Sequence, residues 1–231
     1  MSEPELSVVI PTVNEAASIG GVVRGVRAEA GRLGAACEVI VVDGGSSDGT
    51  CREARAAGAR AMEDCGGFAE SLRRGIAAAR GGFILVMDGD GSHPVETFSE
   101  MWRRRHEADV VVGSRLVPGG DLELPAHRRW LTRLLNGFFR LALRLPVADS
   151  SSGFRLYRAG ALRGIEGSSA GFEFQQETLL EILRNGGSAV EVPIRYVWRA
   201  AGTSKARILA LGFGYLRTAA RFWWKSFRNM R

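Results

Sequence analysis

Phe83-Ile84-Leu85-Val86-Met87-Asp88-Gly89-Asp90-Gly91-Ser92-His93-Pro94 is the stretch on which the fold turns. An apolar run leads directly into two carboxylates set one residue apart among glycines. A short run unbroken by polar residues fits a strand buried on both faces, the habit of parallel sheets covered by helices. The pattern recurs upstream. Leu6-Ser7-Val8-Val9-Ile10 leads into Pro11-Thr12-Val13-Asn14-Glu15, and Val39-Ile40-Val41-Val42 leads into Asp43-Gly44-Gly45-Ser46-Ser47-Asp48-Gly49-Thr50.

Helical stretches separate these runs, over residues 16–33, 48–57 and 68–79, and another opens at Pro94. A weak strand at 59–62 and a further one at Val110-Val111-Val112 complete the alternation. The expected fold class is therefore α/β, with a mainly parallel sheet flanked by helices. The second half breaks the rhythm. A loop at Pro118-Gly119-Gly120 precedes a basic helix over 127–145 and a polar turn, Asp149-Ser150-Ser151-Ser152-Gly153. A strand, a helix over 174–184, a strand over 190–197 and a long final helix follow. No repeat or low-complexity linker interrupts the chain, so one catalytic domain over 1–205 and a basic arm over 206–231 are expected.

Length and charge narrow the class. The 231 residues carry 31 Lys+Arg against 25 Asp+Glu, with ordinary hydrophobic (45%) and charged (24%) fractions, so disordered and collagen-like classes are excluded. From 195 to 231 there are nine basic residues and no acidic one, leaving 22 basic and 25 acidic residues elsewhere. The basicity belongs to the tail, which argues against a nucleic-acid coat and for a localised anionic partner. Cys37, Cys51 and Cys65 form no C-x-x-C, so neither a disulfide framework nor a zinc ribbon is implied. Met1-Ser2-Glu3-Pro4-Glu5 lacks the basic and apolar regions of a secretory signal, and no apolar run approaches the ~20 residues of a membrane span. The expectation is a cytoplasmic protein peripheral to the cytoplasmic face of a membrane.

In open α/β sheets ligands bind outside the carboxyl ends of the strands, where the three polar clusters lie. Asp88 and Asp90 suit one hard divalent cation, Mg²⁺ or Mn²⁺, completed by water and phosphate. Asp-Gly-Asp-Gly is equally good turn chemistry, and His93 reads as the neighbour of a helix cap. Asp48 reads partly as an N-cap, whereas Asp43 ends its strand where a base or ribose would lie. Walker and dinucleotide-binding glycine motifs are absent after the first strand.

Taken in order, these motifs resemble the family 2 glycosyltransferases of GT-A fold, and among them the dolichyl- and polyprenyl-phosphate sugar synthases. The likeness continues through Val112-Gly113-Ser114-Arg115, Asp149-x-x-Ser152-Gly153-Phe154-Arg155, Phe172-Glu173-Phe174-Gln175 and Arg199-x-x-Gly202-x-Ser204-Lys205, spanning 6–205. The resemblance implies that Pro11, Thr12, Asn14, Glu15 and Asp43 hold the nucleotide of a nucleotide-sugar donor. It implies that Asp88 and Asp90, with Gly89 between them, bind the metal at the donor diphosphate. Arg115, with Arg128 or Arg129 and with Ser152, would face the phosphate of a polyprenyl or dolichyl acceptor. Arg199, Ser204 and Lys205 would close over the diphosphate. Asp90, Arg115, Arg199 and Lys205 would carry catalysis, an inverting in-line displacement.

Three positions depart from the family. Gly44 stands where a second Asp is usual, Ser92 where Gln is usual, and Val13 where an aromatic residue is common. A lipid phosphate is already anionic and needs no general base. A hydroxyl acceptor would need one, and Glu173 and Glu177 are the candidates, although acids also suit a helix N-terminus.

Two segments are basic and amphipathic. In the first, Arg129, Arg133, Arg140 and Arg144 fall within roughly 60° at ~100° per residue, with Trp130, Leu131, Leu134, Leu135, Phe138, Leu141 and Leu145 on a broad facing arc. In the second, Arg207, Arg217, Arg221, Lys225 and Arg228 share about 80°, with Trp223-Trp224 among the apolar residues. Each fits a helix packed on the core or one lying in a lipid interface, arginines at phosphates and aromatics among acyl chains.

Overall fold

The computed structural model describes residues 3–63, 66–165, 167 and 169–196. The first half alternates β1 (Leu6–Thr12), α1 (Ala16–Arg32), β2 (Cys37–Asp43), α2 (Thr50–Ala56), β3 (Arg60–Glu63), α3 (Phe68–Ala78) and β4 (Phe83–Val86). A 3-10 turn (Val95–Thr97), α4 (Phe98–Arg103) and β5 (Val110–Ser114) come next. Then follow β6 (Asp121–Leu122), α5 (Ala126–Leu143), β7 (Arg155–Arg158), α6 (Ala159–Leu162), α7 (Glu173–Arg184), β8 (Ala189–Pro193) and β9 (Arg195–Tyr196).

The main sheet has seven strands in the order β3-β2-β1-β4-β7-β5-β8. All its pairs are parallel except those of β7, which runs antiparallel between β4 and β5. The unbroken apolar runs follow from burial on both faces. Leu6, Val8 and Ile10 of β1 enter one core with Ile19, Val22, Val23 and Val26 of α1, while Val9 enters the other with Leu72 of α3 and Leu179 of α7. The chain leaves β1 for β2 on one side and reaches β4 on the other, so β1 marks a switch point whose carboxyl end opens a crevice.

Two expected elements differ in detail. The helix opening at Pro94 starts as the 3-10 turn, with Pro94 as its cap, before α4. The strand over 190–197 divides at Ile194 into β8 and β9, because Pro193 has no N–H with which to continue a ladder. Ile194 instead donates to Ser114 O (2.9 Å), and its carbonyl accepts Asp121 N–H (2.9 Å), which lays β9 beside β6. Arg199, Ser204, Lys205, Cys65 and the arm over 206–231 lie outside the described residues.

Candidate active site

Three loops meet at the carboxyl ends of β1, β2 and β4. Thr12 stands in register with Asp43, and the loops beyond them are laced together. Asn14 N–H donates to Ser46 Oγ (2.7 Å), Asn14 Oδ1 accepts Ser47 N–H (2.9 Å), and Glu15 N–H donates to Thr50 Oγ1 (2.9 Å). Asn14 adopts φ 52°, a left-handed conformation that its short amide tolerates through these local bonds. Asp48 accepts Ala16 N–H (3.0 Å) and Thr50 N–H (3.1 Å), so it serves the starts of α1 and α2 together. The Thr50 hydroxyl, which donates to Asp48 Oδ1 (2.5 Å), and then these backbone bonds hold its carboxyl below the usual range.

Gly89 joins the third loop to the first. A Cβ there would lie 2.6 Å from Thr12 Cγ2, and Ser18 Oγ donates to Gly89 O (2.8 Å). Only glycine lets the carboxylate turn come this close to β1. The buried Thr12 Oγ1 has no hydrogen-bond partner among the described residues, the kind of orphan a bound polar ligand satisfies.

Asp88 and Asp90 flank Gly89, both partly exposed. Asp90 Oδ1 accepts Ser92 N–H (2.9 Å). Their turn is closed by His93, whose Nδ1 accepts Asp88 N–H (3.0 Å) and whose Nε2 lies 3.7 Å from Asp88 Oδ2. The ring is buried and stacks on Phe154 at 5.0 Å. Burial pulls its pKa down against the opposing pull of Asp88 and Asp90. His93 is therefore the neutral staple of the turn, a closer role than that of a cap neighbour. The hard oxygen donors fit a divalent cation. Among the described residues no group of three or more His, Cys, Asp or Glu side chains gathers for a metal, so diphosphate and water would complete the shell. Ser92, in the Gln position, is buried.

On the other side of His93 stands Arg115, just beyond β5. Its Nε donates to Asp149 Oδ2 (2.7 Å) and an Nη to Asp149 Oδ1 (2.8 Å), a two-pronged pair reinforced by Arg115 N–H at 3.1 Å. Asp149 is fully buried. Burial raises its pKa, yet the Arg115 charge and hydrogen bonds outweigh that and hold it below the ordinary value. Glu191 of β8 fixes the same turn by accepting Ala148 N–H (2.8 Å) and Asp149 N–H (3.0 Å). The His93 ring lies 6.1 Å from the Tyr196 ring, and the Arg115 guanidinium lies 5.7 Å from that same tyrosine ring. The carboxylate turn and the pinned arginine thus border the adjoining rings of His93 and Tyr196.

The sequence model described as Glycosyl transferase family 2 matches residues 7–165. The chain belongs to glycosyltransferase family 2. It is 35% identical over 219 residues to an undecaprenyl-phosphate mannosyltransferase of Micrococcus luteus, covering 85% of each chain. It is 34% identical to the polyprenol monophosphomannose synthase of Mycolicibacterium smegmatis, covering 86% of this chain and 79% of the relative. Among solved structures, glucosyl-3-phosphoglycerate synthase of Mycobacterium tuberculosis, in complex with Mn²⁺, uridine diphosphate and glucosyl-3-phosphoglycerate, superposes with a TM-score of 0.75 at 20% identity, over 95% of this chain and 80% of that one. The fold is GT-A, and the chain is a glycosyltransferase.

Within this family 2 glycosyltransferase, three of the expected side chains make bonds inside the protein. Asp43 is buried, and its carboxylate is taken by Ser46 N–H (3.2 Å), Ser46 Oγ and Cys51 Sγ (3.1 Å), so it organises the loop from beneath. Burial and that bond push the Cys51 thiol up to about 11. Ser152, expected at the acceptor, is buried and donates to Gly113 O (2.5 Å), which ties its turn to β5. Glu177, the candidate base, is buried on α7 and accepts Ser169 N–H (2.8 Å), the duty of a loop anchor. Glu173 is half-exposed in the first turn of α7.

Pro11 is buried in β1, Arg128 is half-buried and Arg129 exposed in the first turn of α5. Asp149 was legible only as one letter of a motif. An acid heading a run of serines, in a chain with an arginine at a strand end, is the signal that marks it.

Proposed function

We propose that the transferase moves a sugar from a nucleotide-sugar donor, GDP-mannose or a UDP-sugar, to a polyprenyl or dolichyl phosphate, with inversion, at a membrane surface. The observation that carries this reading is that the Asp88/Asp90 turn and an arginine pinned on a buried carboxylate lie against adjoining rings, Asp88 beside His93 (3.7 Å) and Arg115 beside Tyr196 (5.7 Å). The names of the relatives, an undecaprenyl-phosphate mannosyltransferase and a polyprenol monophosphomannose synthase, support the acceptor class.

In this reading the laced loops bearing Pro11, Thr12, Asn14, Glu15 and Asp43 cradle the nucleotide. Asp88 and Asp90 would hold Mg²⁺ or Mn²⁺, which would supply charge neutralisation for the departing diphosphate. Arg115, with Arg128 or Arg129, orients the lipid phosphate for in-line attack. That oxygen is already anionic, so no base is required, and Glu177 accepts Ser169 N–H. Arg199 and Lys205, outside the described residues, are assigned to the closing loop.

Membrane contact is assigned to α5 and to the arm over 206–231. Trp130, Leu134, Phe138 and Leu141 of α5 are exposed, Leu141 by 81%, and at ~100° per residue they form one stripe roughly opposite the buried Asn136 and Phe139. Arg129, Arg133 and Arg140 flank that stripe and are also exposed. An outward apolar stripe with a cationic flank suits the boundary between phosphates and acyl chains. No helix among the described residues is long and apolar enough to cross a membrane.

The test is transfer from a panel of nucleotide sugars to undecaprenyl phosphate with Mg²⁺ or Mn²⁺. Lipid-linked sugar is expected from the wild type. Asp90→Asn is expected to lose about 10²–10³-fold in turnover, the scale of one lost charge-stabilising group. Undiminished turnover in that variant removes the metal role, and absence of any lipid-linked product removes the acceptor.

A further inference from the structure

α5 buries only two of its residues, Phe139 and the polar Asn136. Asn136 leaves no amide group idle. Its Nδ2 donates to Thr132 O (2.9 Å) and to Ser151 Oγ (2.9 Å), and its Oδ1 accepts the Ser150 hydroxyl (3.0 Å). The orientation of the amide is therefore determined from three sides.

Ser151 passes that orientation on. A hydroxyl has one proton to give and two lone pairs to receive. Ser151 Oγ receives Asn136 Nδ2 and an Arg115 Nη (2.8 Å), and gives its proton to Asp149 Oδ1 (3.1 Å). All three capacities are used, and two end on the Arg115–Asp149 pair. The pair alone fixes the guanidinium plane through two prongs. The Ser151 contact fixes where along Asp149 that plane sits.

We infer that Asn136 is a positioning residue for the acceptor phosphate: from inside α5 it sets, through Ser151, the guanidinium of Arg115. The inference rests on the acceptor reading above and deepens it. It also gives α5 a second task, since the helix whose outer face is assigned to lipid reaches the acceptor arginine from its inner face. Three candidates for the same contact are less suited. Thr132 offers its backbone carbonyl to Asn136 and so holds it without touching the arginine, while Ser150 and Gln176 meet each other at 3.4 Å.

The experiment uses full-length protein, undecaprenyl phosphate in detergent and the nucleotide sugar that supports wild-type transfer. Asn136→Ala is expected to raise the acceptor KM about tenfold, leaving the donor KM unchanged and kcat within about twofold. Ser151→Ala should act in the same direction, and serves if Asn136→Ala folds poorly. In an Arg115→Ala background, Asn136→Ala should add nothing to the acceptor KM, because its route of action has been removed. A merely structural asparagine would instead disturb donor KM and kcat alike in both backgrounds, and that result overturns the inference.

A second readout is independent of the acceptor. The Arg115 Nε–H signal, protected in wild type by its bond to Asp149, should broaden or shift in Asn136→Ala and Ser151→Ala. An unchanged signal in both overturns the positioning role even if transfer occurs. If the wild type yields no lipid-linked sugar while the signal responds, the acceptor reading fails and the Asn136-to-Arg115 linkage stands.

Discussion

α1 and α5 are nearly the same length, 17 and 18 residues, and both are amphipathic, yet they bury opposite things. α1 puts Ile19, Val22, Val23 and Val26 against the sheet, with Glu29 the one charged residue among its buried positions. α5 turns Trp130, Leu134, Phe138 and Leu141 outward and buries an asparagine that grips a polar turn. α1 starts at the loops proposed for the donor, where its first turn is tied to Asp48. α5 lies beside the arginine proposed for the acceptor, where its middle is tied to Ser151. An apolar stripe therefore identifies a helix that needs an apolar surface, and the surface need not be the protein's own core.

The comparison breaks most sharply in α1. Val23→Asp places an unpaired carboxylate in a fully buried position and is expected to cost at least ~4 kcal/mol, measured by urea unfolding. A smaller loss would mean that α1 packs more loosely than its burial indicates.

The next effect tests what the acceptor side buries in place of apolar residues. Asp149→Asn should cost about 3–5 kcal/mol at neutral pH, because it removes one partner of a buried ion pair. The folded pKa of Asp149 lies below its unfolded value, so its contribution is complete above the ordinary carboxylate range. That contribution is lost as pH falls through the lower folded value, so wild type and variant should begin to converge only as pH drops below the ordinary carboxylate range. Urea midpoints across pH check this, and a gap that persists in acid contradicts it.

The smallest effect on stability is expected in the outer face of α5. Leu134→Asp should change unfolding free energy by no more than about 0.5 kcal/mol, since Leu134 is exposed. The same variant should lower partition onto phosphatidylglycerol vesicles about tenfold, the worth of one apolar side chain withdrawn from lipid. A large stability loss with unchanged vesicle binding would make α5 an ordinary core helix.

Much of the fold was legible because parallel strands advertise themselves. The runs before Pro11, Asp43 and Asp88 became β1, β2 and β4, since burial on both faces leaves no room for polar alternation. The strand that became β7 was expected after the polar turn, but its antiparallel direction was not, as four residues with arginine at each end carry no sign of direction. In the site, Asp88 and Asp90 stood out by spacing. The uses of Asp43, Ser152 and Glu177 did not, because a carboxylate or hydroxyl in a motif looks the same whether it faces a ligand or a backbone amide.

By itself the sequence determined the family, the α/β layering and the strand ends at which the chemistry gathers, all of which rest on local pattern and order along the chain. Only tertiary structure decided which groups are spent and which face the cleft. That choice depends on partners distant in sequence, such as Arg115 with Asp149 and Asn136 with Ser151, and on the direction in which each amphipathic helix meets the sheet. Hydrogen-bond capacity is finite, and contacts across the fold determine how each group uses it.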